Sequence, residues 1–135
     1  MAVKHFSIIL LFVCAPAFAG NWSVQLNGLS YHYDRSLDLN EVNTGLGASY
    51  ENGHLLTTGG WYKNSYSRTT VYAFTGPTWR WHGVRFGVLA GVVSGYDCDT
   101  SMHWTPTLMP IVSIWRLNFT ATPWFVAANI TIAQF

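Results

Sequence analysis

A histidine and a serine lie in two separate segments of this sequence that could carry out acid–base or nucleophilic chemistry. The first segment reads LSYHYDR and contains His32, and the second reads GGWYKNSYSR and contains Asn64 and Ser65. An imidazole that titrates near neutrality can act as a general base. A serine hydroxyl can attack an ester, or it can donate a hydrogen bond to an oxyanion together with Asn64. A turn between two strands also explains Asn64 and Ser65, because Asn and Ser favour turns, and His32 could be a rim or lumen histidine bonded to a neighbour.

The composition limits the kind of protein. Charged residues make up 10% of the chain and aromatic residues 16%, whereas charged residues make up roughly 25% of ordinary soluble domains. The formal net charge is +1, so there is no basic excess to neutralise the phosphates of a nucleic acid. The sequence has no His/Cys spacing typical of a metal site and no phosphate-binding glycine loop. We therefore expect no metal, no cofactor and no nucleic-acid partner.

Residues 1–19 have the layout of a cleaved secretory signal. A lysine precedes a short apolar run, and the segment closes with Ala-Phe-Ala. The run is shorter than the roughly 20 residues that a helix needs to span a bilayer. We therefore expect one folded domain, residues 20–135, that lies outside the cytoplasm.

The segment HGVRFGVLAGVVSGY has the two-residue period of a β-strand. One set of alternate positions is continuously apolar from Val84 to Val92, and the other is rich in glycine and includes Gly87 and Gly91. In a chain with so few charges, the apolar set indicates a strand that faces lipid. The glycine set predicts empty space on the inner side of a barrel wall.

Weaker alternation divides the rest of the chain, so that the sequence predicts eight strands. The segments are about 22–32, 44–51, 54–65, 69–79, 83–95, 107–115, 116–122 and 125–135. Eight strands form the smallest outer-membrane barrels. The predicted fold is therefore an all-β, eight-stranded antiparallel transmembrane β-barrel of the outer membrane. Alternating short and long connections place the ends of the first and third strands, with His32 and Ser65, at one rim.

In chain order, several motifs resemble the outer-membrane lipid A palmitoyltransferases, the PagP family. That family has a catalytic histidine in an aromatic setting on its first strand and a later Lys-Asp-Ser-Trp segment, to which LSYHYDR and WYKNSYSR are similar. Gly76 matches a glycine on the floor of the family's cavity, and FGVLAGVVSGYD, PTLMPIVSIW and LNFTATP are similar to its later strands. The resemblance implies a barrel that holds one acyl chain, and an enzyme that moves a palmitoyl-like chain from a phospholipid to lipid A.

The resemblance also implies roles for individual residues. His32 would be the general base, and Ser65 and Asn64 would act beside it at the cavity mouth. Apart from the resemblance, Lys63, Arg68 and Arg35 could bind phosphate groups of lipopolysaccharide, although a solvated rim explains them equally well. Gly76, Gly87 and Gly91 are expected to line the acyl cavity, although strand curvature also requires glycine. Asn64 stands where the family has an acid, so that, if the histidine needs a carboxylate, either Asp34 or Asp97 supplies it or the activity is lost. The partners would be membrane lipids, and the oligomeric state stays open.

Two other functions remain open at this point. A non-catalytic surface barrel could bind a partner through its outer loops YDRSLDLNEVN and GYDCDTSMHWTP. The missing acid, and the lack of room ahead of Trp22 for the amphipathic helix of the family, favour this alternative. A soluble lipid-binding barrel is the third possibility, but it would leave the apolar face from Val84 to Val92 in water.

Overall fold

The computed structural model describes residues 20–96 and 103–135, and they form a closed antiparallel barrel of eight strands. The strands are β1 (Asn21–His32), β2 (Val42–Asn52), β3 (Leu55–Lys63), β4 (Thr69–Trp81), β5 (Val84–Ser94), β6 (Trp104–Ile114), β7 (Leu117–Ala121) and β8 (Phe125–Gln134). Each strand pairs with the next, and β8 pairs with β1. The predicted eight-stranded barrel is confirmed. The predicted signal segment and Asp97 lie outside the described residues.

Helical structure within the described residues is limited to one short element. A single 3-10 turn, Arg35–Leu37, follows β1, and Asp34 caps its start. No helix in this part of the chain is long and apolar enough to cross a membrane.

The two ends of the barrel differ in which strands finish there. We call the end at which β1, β3, β5 and β7 finish the upper end, and the end at which β2, β4 and β6 finish the lower end. β3 ends at Lys63, two residues earlier than its predicted limit, so that Asn64 and Ser65 lie in the upper turn to β4. β6 begins at Trp104 rather than near residue 107.

Alternate side chains of the strands point inwards and outwards, as the pattern predicts. In β5, Phe86 and Val88 are 42% and 47% exposed on the outside, whereas Leu89, the residue after Val88, is 1% exposed on the inside. The buried hydrophobic side chains form one cluster inside the barrel, namely Leu56, Tyr72, Phe74, Leu89, Val93 and Ile111. The barrel therefore has an apolar interior at mid-height as well as an apolar exterior.

An irregularity in β1 decides which way His32 points. The register of β1 shifts between Asn27 and Leu29 against both neighbouring strands. Below the shift the odd-numbered residue Gln25 is buried, whereas above it the even-numbered His32 is buried and Tyr31 is exposed. Because side chains alternate with a period of two, a one-residue irregularity exchanges the two faces. A regular strand would turn His32 to the outside.

The wall between β6 and β7 is open in its upper half. β7 pairs with β6 only from Ile111 to Ile114, and in the described part of the chain β6 has no strand partner on this side above that point. The carbonyl oxygen of Pro110 points towards β7, where it accepts a hydrogen bond of 2.8 Å from Thr120. Pro106 is four residues before Pro110 and faces the same side of β6. Because the N–H and C=O groups of a strand residue point the same way, the missing N–H at both prolines is on the edge that faces β7. The prolines therefore remove donors that the opening would leave unsatisfied.

Charged side chains occupy the lower end of the interior. Glu51 forms ion pairs with Arg85 at 2.9 Å and with Arg80 at 2.8 Å. Arg85 also donates to Ser113 on the neighbouring strand β6 and to Asn118 on β7, at 3.2 and 3.3 Å. These contacts give the interior a polar floor and confine its apolar part to the levels above.

Candidate functional site

The structure brings His32 and Ser65 together at the upper end of the barrel. The hydroxyl oxygen of Ser65 lies 2.7 Å from Nε2 of His32, within hydrogen-bonding distance. His32 is 6% exposed and Ser65 is 9% exposed. Water has little access to this pair, so the hydrogen bond is stronger than it would be at a free surface.

The turn after β3 holds Ser65 in place through the side chain of Asn64. That side chain is fully buried and donates to the hydroxyl of Thr70 at 3.0 Å and to the carbonyl of Gly95 at 2.8 Å. Its oxygen accepts from the backbone N–H groups of Tyr66 and Arg68, both at 3.0 Å. Both amide hydrogens are therefore used, one towards β4 and one towards the end of β5. The predicted donation from Asn64 to an oxyanion is not supported by this geometry, and Asn64 positions Ser65 instead.

A carboxylate that the sequence analysis missed lies on the other side of the imidazole. Glu41 Oε1 is 3.8 Å from Nδ1 of His32 and accepts the backbone N–H of the same residue at 3.0 Å. That backbone hydrogen bond, reinforced by the guanidinium of Arg35, lowers the pKa of Glu41, which is therefore ionised at neutral pH. Glu41 directly precedes β2, which starts at the upper end, so its position in the predicted topology was the available signal.

The expected acid, Asp34, has a different task. Its carboxylate accepts hydrogen bonds from the backbone N–H and the hydroxyl of Ser36, at 3.0 and 2.6 Å, and caps the 3-10 turn. These bonds lower the pKa of Asp34, the bond from the Ser36 side chain being the larger cause. Among the described residues, Glu41 rather than Asp34 is the carboxylate beside His32. Asp97, the other expected acid, lies outside the described residues.

A cavity of about 370 Å³ extends through the interior below Ser65. Its wall is mostly apolar and includes Tyr62, Phe74, Met109 and Phe125. The cavity reaches the open wall between β6 and β7, where Thr107 and Thr120 face it, and it ends below at the polar floor of Arg85. Mostly apolar cavities of roughly 300 to 1,000 Å³ are typical ligand sites. This one suits an elongated apolar group.

The three glycines expected to line the cavity lie where neighbouring strands approach most closely. A Cβ atom added to Gly76, Gly87 or Gly91 would overlap the carbonyl oxygen of Val88, Pro77 or Ala73 on the adjacent strand. None of the three is among the described residues that line the cavity. Strand curvature, which also requires glycine, therefore explains them better than space for an acyl chain.

The close approach of the Ala73 backbone to Gly91 leads to a prediction about stability. Gly91→Ala is expected to lower the free energy of unfolding by about 1 to 3 kcal/mol, the usual cost of overpacking, because backbone atoms must move. Gly59→Ala is the matched control, since its added Cβ would meet no atom closer than 3.3 Å. Urea unfolding followed by tryptophan fluorescence compares the two variants. If the two variants were equally stable, the close approach of the Ala73 carbonyl to Gly91 would be contradicted.

The predicted phosphate-binding residues all lie at the upper end but in different surroundings. Arg35 pairs with Glu41, and its guanidinium carbon lies 4.9 Å from the ring centre of Tyr31. Lys63 and Arg68 are exposed at the two ends of the turn that holds Ser65. Arg35 thus pairs with a carboxylate of the site, and Lys63 and Arg68 are exposed beside it.

Comparison with known proteins gives no match: no protein-family model and no curated protein matches this sequence. Within residues 20–96 and 103–135, no group of three or more His, Cys, Asp or Glu side chains could hold a metal ion. Acid–base and nucleophilic groups are what the described site contains, in the order Ser65, His32 and Glu41.

Proposed function

We propose that this protein is an outer-membrane acyltransferase that moves a fatty acyl chain, palmitoyl-like in length, from a phospholipid to lipid A of lipopolysaccharide. The single observation that carries the proposal is the hydrogen bond of 2.7 Å between Ser65 and His32 at the top of a mostly apolar cavity. An acyl chain in this cavity has its ester carbonyl at the buried pair. No metal or cofactor takes part in the proposed reaction.

The outer surface of the barrel supports a membrane location. Large apolar side chains are exposed around the wall, namely Leu26, Leu46, Val71, Val88, Leu108, Val112, Phe119 and Ile130. Trp61, Trp104 and Trp124 are exposed towards the upper end, and Trp81 and Trp115 towards the lower end. A continuous apolar belt of this extent is unfavourable in water, and aromatic rings above and below it suit the two interfaces of a bilayer. The upper end faces the cell exterior in this proposal.

The open wall between β6 and β7 supports a lateral route for the lipid. A phospholipid in the same leaflet reaches the cavity through this opening without leaving the membrane. The exposed Leu108 and the cavity-lining Thr107 are neighbours on the free edge of β6, so that membrane and cavity are one residue apart. The acyl chain then enters sideways and the headgroup stays at the surface.

In the proposed reaction His32 is the general base. Nε2 takes a proton from a hydroxyl that attacks the ester carbonyl, and it later returns a proton to the leaving oxygen. Lys63 and Arg68 at the upper end contact phosphate groups of lipid A. The polar floor at Arg85 limits the length of chain that fits above it.

Lipid A from cells tests the proposal. The full chain is expressed in a Gram-negative host that lacks such an enzyme, and lipid A is examined by mass spectrometry. We expect one additional acyl mass with the wild-type chain and none with His32→Ala. If membranes that contain folded wild-type barrel show no added acyl mass, the acyltransferase proposal is wrong.

The cavity makes a separate prediction about chain length. Met109 lines the cavity, whereas Leu108 beside it is 69% exposed on the outside. Met109→Trp is expected to shift the preferred acyl chain to a shorter one, because each methylene that no longer fits forgoes about 0.8 kcal/mol. Leu108→Trp is the control and should leave the preference unchanged. Competition among phospholipids of different chain length, read by mass spectrometry, measures both; an unchanged preference in Met109→Trp would place the chain elsewhere.

A non-catalytic surface barrel is the second candidate. The hydrogen bonds from Asn64 to Thr70 and Gly95 favour it, because the residue that stands in place of the acid of the similar family then has no donor left for a substrate. In that case the upper loops bind a partner and lipid A stays unchanged in every variant.

A further inference from the structure

The arrangement around His32 has three members in line rather than two. Ser65 Oγ lies 2.7 Å from Nε2, and Glu41 Oε1 lies 3.8 Å from Nδ1, on the opposite side of the ring. The three residues come from the turn after β3, from the last position of β1 and from the loop before β2. A hydroxyl, an imidazole and a carboxylate in this order form the arrangement that activates a serine nucleophile, and it is recognised by geometry and not by sequence order.

The nitrogen that faces Glu41 is poised to complete the arrangement. Within the described residues, Nδ1 of His32 is buried and has no hydrogen-bond partner. When Ser65 donates to Nε2, the imidazole hydrogen lies on Nδ1, and leaving it unpaired in a buried site is unfavourable. The carboxylate of Glu41 is partly exposed, at 29% of its side-chain area, and can rotate. A small movement brings Oε1 within bonding distance, and catalytic hydrogen bonds often tighten only when substrate binds.

The position of Ser65 suits a nucleophile better than a spectator donor. Ser65 lines the cavity, so that an ester at the top of the cavity lies beside it. The backbone around it is fixed, because its carbonyl accepts from Asn40 at 2.8 Å and Asn64 holds the turn. A hydroxyl on a fixed backbone beside a base loses little freedom on reaching a carbonyl carbon.

We propose that acyl transfer proceeds through a covalent ester on Ser65, with Glu41 as the positioning residue that orients His32; this inference rests on the proposed acyltransferase function. In the first step Ser65 Oγ attacks the carbonyl carbon of the phospholipid ester and its proton passes to Nε2. The bond from that carbon to the glycerol oxygen breaks, and the leaving oxygen takes the proton. In the second step a lipid A hydroxyl gives its proton to Nε2 and attacks the acyl carbon. Ser65 Oγ leaves and is reprotonated.

The test uses the full mature chain, purified in detergent, and a fluorophosphonate that carries a long alkyl chain. Attack by an activated serine displaces fluoride and leaves a stable phosphonyl ester, which intact-mass and peptide mass spectrometry locate. We expect one adduct, on Ser65, and none in Ser65→Ala. His32→Ala should react at least about a hundredfold more slowly. An adduct elsewhere, or none on folded wild-type protein, would overturn the proposal whether or not any variant folds.

Glu41 has its own readout in the same experiment. Glu41→Gln is expected to lower the maximal rate of adduct formation at least about tenfold without changing the reagent concentration that gives half of that rate. Asp38→Asn in the same loop is the matched control, because Asp38 is exposed and its left-handed backbone tolerates asparagine. A maximal rate in Glu41→Gln equal to that of the control would exclude the positioning role.

The failure of this inference and of the proposed function are distinguishable. Labelling of Ser65 without any lipid A acylation supports the nucleophile and contradicts the acyltransferase proposal. Lipid A acylation without a reactive Ser65 contradicts the covalent step, and His32 then activates the lipid A hydroxyl directly.

Discussion

Replacement of His32 by alanine is expected to lower the rate of acyl transfer by about 10²- to 10⁴-fold, the usual contribution of a general base. The imidazole is buried, and its Nε2 lies 2.7 Å from the hydroxyl of Ser65. In the variant, water therefore does not readily replace the imidazole as the base. Purified protein, reconstituted in bilayers with phospholipid and lipid A, gives the rate directly. The removed ring contacts Phe125, with ring centres 5.6 Å apart, so circular dichroism must accompany the assay to show that the barrel persists.

His54→Ala provides the matched control for this loss. His54 lies in the turn between β2 and β3 at the lower end, where Nδ1 is 3.2 Å from the carbonyl of Thr78. It is exposed and far along the barrel from Ser65. Its replacement should leave the rate within about twofold of wild type. Equal rates in His32→Ala and His54→Ala would remove His32 from the chemistry.

The second large effect is expected when the acid of the similar family is introduced. Asn64→Asp should lower the free energy of unfolding by about 3 kcal/mol at pH 7, because an ionised carboxylate cannot donate to Gly95 or Thr70 and is left buried without a cation. In wild type these two donations are 2.8 and 3.0 Å long. Acyl transfer should not increase, because the side chain at this position points into the turn and away from the imidazole.

The pH dependence of the stability of Asn64→Asp separates the effect of the carboxylate charge from the effect of the changed side-chain shape. Burial raises the pKa of the introduced carboxyl above its unfolded value near 4. The variant is therefore closest to wild type below about pH 4 and loses stability as the pH rises through the raised pKa. Urea unfolding from pH 4 to pH 8 measures the difference, with Asn52→Asp at the exposed lower end of β2 as the control. A difference that does not grow with pH would contradict the buried position of Asn64.

The strand pattern made the barrel predictable from the sequence. In β5 the apolar and glycine-rich positions alternate without a break, and the structure turns Phe86 and Val88 outwards and Leu89 inwards. Pairing of consecutive strands then follows from short and long connections, which also place His32 and Ser65 at the same end. This information is local and repeated eight times, so small errors at strand boundaries do not change the fold.

The orientation of His32 was not readable in the same way. It depends on one register shift in β1 between Asn27 and Leu29. The alternation of apolar and polar residues in the sequence does not predict this shift. The same limit applies to glycine: its pattern predicted space inside the barrel, whereas Gly76 and Gly91 allow neighbouring backbones to approach. A glycine in the sequence shows that a Cβ atom is absent, but it does not show which neighbouring group occupies the space that this leaves.

The roles of the polar residues at the site could not be predicted from the sequence, because they depend on contacts in the folded chain. Asp34 was expected as a possible acid in place of Asn64, but the chain turns directly after β1 and the carboxylate of Asp34 caps the 3-10 turn. Glu41 is nine positions away and returns to His32 because it leads into the strand that pairs with β1. Asn64 was similarly predicted to donate to substrate, but its side chain makes four hydrogen bonds, two with N–H groups of its own turn and two with Thr70 and Gly95.

The fate of an isotopically labelled acyl chain tests the central claim most directly. Wild-type barrel in bilayers is given lipid A and a phospholipid whose acyl chain carries ¹³C, and lipid A is then analysed by mass spectrometry. We expect lipid A to gain one labelled chain as an ester, with one lysophospholipid formed for each chain transferred, and no gain with His32→Ala. Unlabelled lipid A in the presence of folded wild-type barrel would contradict the assignment of Ser65 and His32 as the site of acyl transfer.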